Sequence, residues 1–276
     1  MLRNSELPLC MLDEDNQLNQ YNFVLYHLLL DSPEYFKHYA KSHRFTILDN
    51  SAYEFYVRGK ILDLTDYAAV VQFLSPDIYI LPDVLMDADA TLSGVTQFME
   101  KYSPCLNSTP MAVLQGNSNG DFIRCLYEYV SIGITHIAIP FHNSFFTDVD
   151  ESDSTVSEMV STFKRIYDTD TLTQDMKYAL GRYKFIVTHY KELTQCTDYI
   201  HLLGSHCPAE QICYRSMSVI KSVDTGYPVK CAMEGHVLYK EPHKPTIIID
   251  DFMHINLDEN TKNLIRINLD ILDNQL

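Results

Sequence analysis

Short apolar runs alternate along the chain with longer stretches whose apolar residues recur at helical spacing, the order that builds a parallel sheet. The runs expected as strands are Leu9–Leu12, Phe45–Leu48, Ile78–Leu81, Met111–Leu114, His136–Ile139, Phe185–Thr188, Tyr199–Leu203 and the very short Ser222–Asp224. Helices are expected over Phe23–Leu30 and around Phe36–Ala40, with a break near Ser32-Pro33. Further helices are expected over Leu64–Leu74, Ala88–Tyr102, Gly120–Ile132, Val156–Tyr167 and Pro208–Ile220, the last with Pro at its start, where a missing N–H costs nothing. Thr147–Ser157 is acidic and rich in Ser and Thr, which marks an exposed loop; Thr246–Ile249 reads as an added strand and Glu259–Leu272 as a closing helix. The pattern favours a (β/α)8 TIM-type barrel, one α/β domain over residues 1–276 with 245–276 as a C-terminal extension. An open doubly wound sheet usually carries a glycine-rich phosphate loop after its first strand, and LCMLDEDNQ contains no glycine.

Several strands end in a polar residue. Phe45–Leu48 runs into Asp49, Ile78–Pro82 into Asp83, Met111–Leu114 into Gln115, and the last short strand into Asp224. In a parallel barrel all strand C-termini open on one face, so these four side chains are expected around one pocket. Each alone also suits a plain structural duty: Asp as a cap after a strand, Gln as a partner for loop backbone. Together, carboxylates in a pocket repel, and environment separates their pKa values so that one holds a proton while another is ionised. That division suits glycosidic bond cleavage, where one carboxylate attacks or stabilises the anomeric carbon and another handles the proton at the leaving group. Gln115, with one acceptor and two donors, suits the edge of a purine-like base. Gly116 and Gly120 bracket a polar turn, but no GK[ST] follows to make a phosphate loop. Tyr53 offers a ring to stack on a base, with core packing as the alternative; Leu203 offers the opposite wall, and Gly204 lets backbone approach a ligand. His142 and His189 fall near expected strand ends and with carboxylates would suit a metal, yet no HExxH-like spacing supports one, so neither metal nor cofactor is expected.

Composition and charge change this picture at three points. The seven cysteines form an odd set without a close CxxC pair, so neither a disulfide framework nor a zinc cluster is signalled, and a reducing cytoplasm suits them. No window is long and apolar enough for a membrane span, and the N-terminal MLRNSELPLCMLDEDN lacks a leader pattern, so a soluble, unexported chain is expected. The net charge of −16 opposes polyanion binding in general. Between His206 and Lys244, however, five basic residues (Arg215, Lys221, Lys230, Lys240, Lys244) face four acidic ones, giving +1 locally against −17 elsewhere. These five are the candidates for phosphate contact, against the alternative of a chance fluctuation in charge.

With these residues in hand, the chain resembles the tRNA-guanine transglycosylases and their DNA-modifying relatives. DNSAY at 49–53 resembles the family's DSGG[FY], in which the aspartate is the general acid/base and the aromatic stacks on the base. LPDV around Asp83 resembles the strand end whose aspartate reads guanine N1 and its exocyclic amine, and VLQG at 113–116 is similar to VQGG, whose glutamine contacts the base. LLGS at 202–205 resembles LMGVG, which puts Leu203 where the family has a methionine under the base. DTGYP at 224–228 keeps the DxxxP spacing of the nucleophile motif, so the resemblance implies Asp224 as nucleophile. The match spans roughly residues 45–235 in the family's order. Three features depart from it: Pro140, Phe141 and His142 stand in place of Gly-Gly-Leu, the C-terminal CxCxxC…H zinc site is absent, and VKCAM replaces TRNAR.

Loss of the zinc subdomain points by analogy to the DNA branch found in phages, in which guanine in DNA is replaced by a 7-deazaguanine such as 7-cyano-7-deazaguanine. The resemblance implies Asp224 and Asp49 as catalytic residues and Asp83, Gln115, Tyr53, Leu203, Gly204, Gly116 and His142 around the base. It also implies DNA with a flipped-out guanine and a free 7-deazaguanine as partners. Redox cofactors and ATP are not needed, since one glycosidic bond is exchanged for another. Alternatives at this level are a tRNA-directed enzyme, a nucleoside or base-salvage glycosidase, and a non-catalytic 7-deazapurine-binding or partner subunit.

Overall fold

The computed structural model describes residues 1–239, 245–247 and 253–275. Its eight strands are β1 (Leu2–Asn4), β2 (Asn22–Leu25), β3 (Thr46–Asp49), β4 (Ile78–Ile80), β5 (Thr109–Val113), β6 (His136–Pro140), β7 (Tyr199–Leu203) and β8 (Ile220–Asp224). They form one sheet in the order β1-β8-β7-β6-β5-β4-β3-β2, parallel in register, with interleaved helices, the (β/α)8 TIM-type fold. The α-helices among the described residues are α1 (Asp15–Leu18), α2 (Tyr26–Asp31), α3 (Pro33–Tyr39), α4 (Ala52–Val57), α5 (Leu64–Leu74), α6 (Ala88–Lys101), α7 (Asn119–Ser131), α8 (Ser157–Tyr167), α9 (Gln174–Thr188), α10 (Tyr190–Cys196), α11 (Tyr227–Met233) and α12 (Glu259–Gln275). No helix among the described residues is long and apolar enough to cross a membrane.

Two expected strands and two expected helices are corrected. Leu9–Leu12 is not β1 but part of a 3-10 helix, Leu9–Glu14, entered through Pro8. The true β1 is LRN, whose middle residue Arg3 is wholly buried and paired with Asp273, so its burial is ionic and leaves no apolar run to read. Phe23–Leu30 divides between β2 and α2, because a continuous apolar run fits a buried strand as well as a helix. Phe185–Thr188 is the last turn of α9, where β-branched residues pack as helix, so His189 caps a helix rather than ending a strand. Pro208–Ile220 is shorter than expected, a 3-10 helix over Pro208–Tyr214. Of Thr246–Ile249, residues 248–249 lie outside the described residues, and Thr246–Ile247 carry no regular structure, their N–H groups donating to Glu234.

The chain gathers into two compact units, each with its own packing. One comprises Tyr21–Pro140 and Thr194–His201. Its strands are apolar on both faces, as sequences covered by helices must be, and side-chain caps from Asp63, Asp87 and Ser118 start α5, α6 and α7. The other comprises Met1–Gln20, Phe141–Leu193 and Leu202–Leu276. There α12 packs Ile265 and Leu269 against Leu7, Met11, Val229 and Ala232, and Arg266 closes an ion pair with Glu14.

Candidate functional site

In the first unit, Asp49 is the last residue of β3 and Asp83 and Gln115 each lie a few residues beyond a strand end. The chain turns sharply after Asp49: its Oδ2 accepts the Ser51 N–H at 2.8 Å, and Ser51 adopts a left-handed backbone, φ 59°, before α4 begins. That conformation is costly for a residue with a Cβ, and it is held by the Ser51 hydroxyl, which accepts the His27 N–H at 3.1 Å and meets His27 Nδ1 at 2.9 Å. Ser51 and His27 are both fully buried.

The turn delivers Asn50 to Asp83. Asn50 Oδ1 accepts the Ala52 N–H at 2.7 Å, which fixes its amide so that Nδ2 donates to Asp83 Oδ1 at 2.8 Å and to the Leu81 carbonyl at 2.6 Å. Gln115 mirrors it. Its Oε1 accepts the Met86 N–H at 2.9 Å, so Nε2 donates to Asp83 Oδ2 at 2.7 Å. Asp83 thus sits between two amides whose orientations are set by backbone donors. Burial pushes its carboxyl pKa above the ordinary value, and the Asn50 and Gln115 hydrogen bonds pull the other way without cancelling the rise. Tyr67, fully buried, donates to the Ile80 carbonyl at 2.7 Å, and burial followed by the Asp49 charge holds its phenol far above its usual range.

Tyr53 is 60% exposed at the start of α4, a ring open to solvent rather than a core residue. Gly116 has φ 137°, and a Cβ there would lie 2.2 Å from the Asp121 Cβ, so the turn into α7 explains this glycine by itself.

In the second unit, Asp224 ends β8 and is only 4% exposed. Its Oδ1 accepts the Gly204 N–H at 2.7 Å. Gly204 follows Leu203 at the end of β7 with φ 68°, and that turn is held from behind by Arg182 of α9, which donates to the carbonyls of Leu203 and Gly204 at 3.3 and 2.9 Å. Arg182 is itself wholly buried, paired with Glu210 and packed over the Phe141 ring. Glu210 also accepts from Ser205 Oγ at 2.7 Å, and Thr225, next to Asp224, donates to the Ser205 carbonyl at 2.5 Å. A chain of hydrogen bonds therefore runs from a buried ion pair to the carboxylate at the end of β8.

The remaining candidates are placed as follows. His142 is exposed just beyond β6, and Arg215 and Lys221 are exposed, while Lys230 is half-buried on α11. Lys240 and Lys244 lie outside the described residues. His189, beside the Phe185 ring at the end of α9, joins none of these groups.

Sequence reasoning missed Asn50, Ser51, Arg182 and Glu210. Asn50 was open to discovery, since an amide directly after a strand-end aspartate is a ready partner for the next strand end. Arg182 and Glu210 carry no local signal; only the fold joins α9 to the segment after β7. Searches for related proteins leave the site to be read from its own residues: no family model matches the chain, and no curated protein matches it.

Proposed function

We propose that this protein is a base-exchange transglycosylase that replaces guanine in DNA with a 7-deazaguanine through a covalent aspartyl-sugar intermediate. The observation that carries this reading is Asp83 clamped by Asn50 and Gln115: a carboxylate with both oxygens oriented by fixed amides is built to accept paired N–H donors such as guanine N1 and its exocyclic amine. The motif resemblance supplies the remaining roles.

In this mechanism a guanine nucleotide leaves the base stack, because its anomeric carbon is unreachable while stacked. An Asp224 oxygen bonds to C1′ as the C1′–N9 bond breaks, and Asp49 protonates the departing guanine. The incoming 7-deazaguanine gives its N9 proton to Asp49, its nitrogen bonds to C1′, and the Asp224 carboxylate leaves. Two inversions retain the anomeric configuration. The Gly204 N–H, donating to Oδ1, fixes the orientation of the Asp224 carboxylate. Tyr53 and Leu203 flank the faces of the base. Gln115, whose amide is bound to Met86 and Asp83, acts chiefly by orienting Asp83, which refines the direct base contact that the resemblance implies. Arg215, Lys221 and Lys230 make the phosphate contacts, and the host cytoplasm, where all seven cysteines stay free, is the compartment.

The test is nucleoside mass spectrometry of DNA, tRNA and free guanosine incubated with the protein and 7-cyano-7-deazaguanine. Incorporation into DNA that disappears in D224N, with a covalent DNA adduct trapped in the wild type, is the expected result. Full exchange by D224N removes the assignment, and exchange into tRNA or nucleoside alone moves the substrate.

A further inference from the structure

We propose that His142, Asp175 and His206 form a binding site for a divalent transition-metal ion, with zinc as the reference ion. One ligand atom from each, two imidazole nitrogens and a carboxylate oxygen, lies within 4.8 Å of the other two. A zinc ion with bonds of about 2.0–2.2 Å brings such atoms to roughly 3.3–3.5 Å from each other, so small side-chain rotations close the set around an ion. Two nitrogens and one oxygen match zinc, iron or cobalt and disfavour magnesium and calcium, which take oxygen ligands.

The three ligands come from separate segments: His142 just after β6, Asp175 in the first turn of α9, and His206 in the loop after β7. Their placement is preset by packing. Phe141 stacks on the His206 ring at 5.3 Å and 20°, Tyr178 meets the His142 ring edge-on at 4.9 Å, and the two imidazoles are nearly perpendicular with centroids 4.6 Å apart. Asp175 is buried while His142 is exposed, so the set has a closed inner side and an open outer one. Three protein ligands with an open outer side leave a coordination position for water or an anionic group, the arrangement of reactive rather than purely structural zinc sites.

The site borders the residues of the transglycosylase reading, which sets His142 beside the base, but it is tested independently of that reading. His206 lies two residues beyond Gly204, and Arg182, which braces the Gly204 turn, lies two helical turns beyond Asp175 on α9. An ion here ties the segment at 141–142, α9 and the loop after β7 together whatever reaction the protein performs.

The experiment is titration of the metal-stripped full chain with Zn2+ by calorimetry and with Co2+ by visible absorption. One equivalent per chain is expected, with a d–d spectrum lacking thiolate charge transfer, no displacement by excess Mg2+, and a higher melting temperature with zinc. H142A, H206A and D175N should each weaken binding more than about tenfold. H142A changes an exposed side chain, so loss of binding there with an unchanged circular dichroism spectrum separates ligand loss from misfolding. Absence of stoichiometric binding overturns the proposal. Binding that is unchanged in H142A and H206A, or that shows thiolate charge transfer, also overturns it by moving the ion to the cysteines. These readouts involve no base exchange, so the two proposals fail separately.

Discussion

At Asp83 burial outweighs two hydrogen bonds, and the direction of the resulting shift has a definite consequence for stability. A carboxyl whose folded pKa lies above its unfolded value favours the folded state while neutral. That contribution is complete below the unfolded value, near 3.8, and is lost as pH rises through the raised folded value. Urea unfolding from pH 3 upward should therefore show the wild type losing stability relative to D83N across that window, although Asn at 83 sets an amide against one of two fixed donors at a pH-independent cost of about 1–3 kcal/mol. Under the proposed chemistry kcat/KM falls in the opposite direction, as pH drops through the same raised value and Asp83 ceases to accept from the base. A second residue-scale prediction concerns Ser51. S51A deletes the hydroxyl that bonds His27 and should cost about 1–3 kcal/mol in chemical denaturation, while S51G, which meets φ 59° without a Cβ, should cost about 1 kcal/mol less. The positions of Asp49 at the end of β3 and of Asp83 shortly beyond β4 were legible in the sequence, because a polar residue closing an apolar run is a local signal. The left-handed turn at Ser51 was not, since serine carries none of the conformational signature that glycine would.

Beyond β8 itself, α9 braces the Gly204 turn whose N–H bonds Asp224. Its N-terminal half carries Asp175, and in its middle Gly181 packs so closely on the turn at 144–147 that a Cβ there would stand 2.0 Å from the Phe146 carbonyl oxygen. Arg182 follows directly and reaches the Leu203–Gly204 turn. R182M should cost about 3–5 kcal/mol in denaturant unfolding, because Glu210 remains buried without its guanidinium, and the R182M/E210Q double variant should recover much of that loss. Recovery of stability without recovery of the proposed base exchange would assign Arg182 a positioning duty toward Gly204 and Asp224. Equal recovery of both would limit it to stability. Reading α9 from sequence went astray at FIVT, a β-like tetrad that the helix absorbs because its buried Phe185 and Ile186 lie one turn beyond Gly181 and Arg182 on the same face. Where an element's pattern was long and bounded by a cap, as in α5 behind Asp63, the expected and observed helices coincide at Leu64–Leu74. Where burial was ionic, as at Arg3 in β1, hydropathy held no trace of the strand.

Over the whole molecule the fold class followed from alternation alone, even though two false strands at 9–12 and 185–188 offset the unread β1 and β2. Parallel strands need crossovers, so the alternation of runs and helices survives local errors of assignment. Net charge works at the same scale and sets the terms of any encounter with a nucleic acid. A chain at −16 repels phosphates at long range, so under the proposed function any DNA affinity has to come from a few local cations. Each phosphate neutralised on duplex DNA contributes about −0.9 to the slope of log K against log salt. Among the described residues Arg215, Lys221 and Lys230 are the proposed contacts, which sets a slope of about −3 if all three engage. Fluorescence anisotropy with a labelled duplex across a salt series should return a slope of that order. K221Q and R215Q should each reduce it by about 1 and weaken binding to all sequences alike, because phosphate contacts carry no base information. A slope unchanged in both variants would move the phosphate contacts to other cations, and affinity indifferent to salt would mean that the base pocket alone holds the substrate.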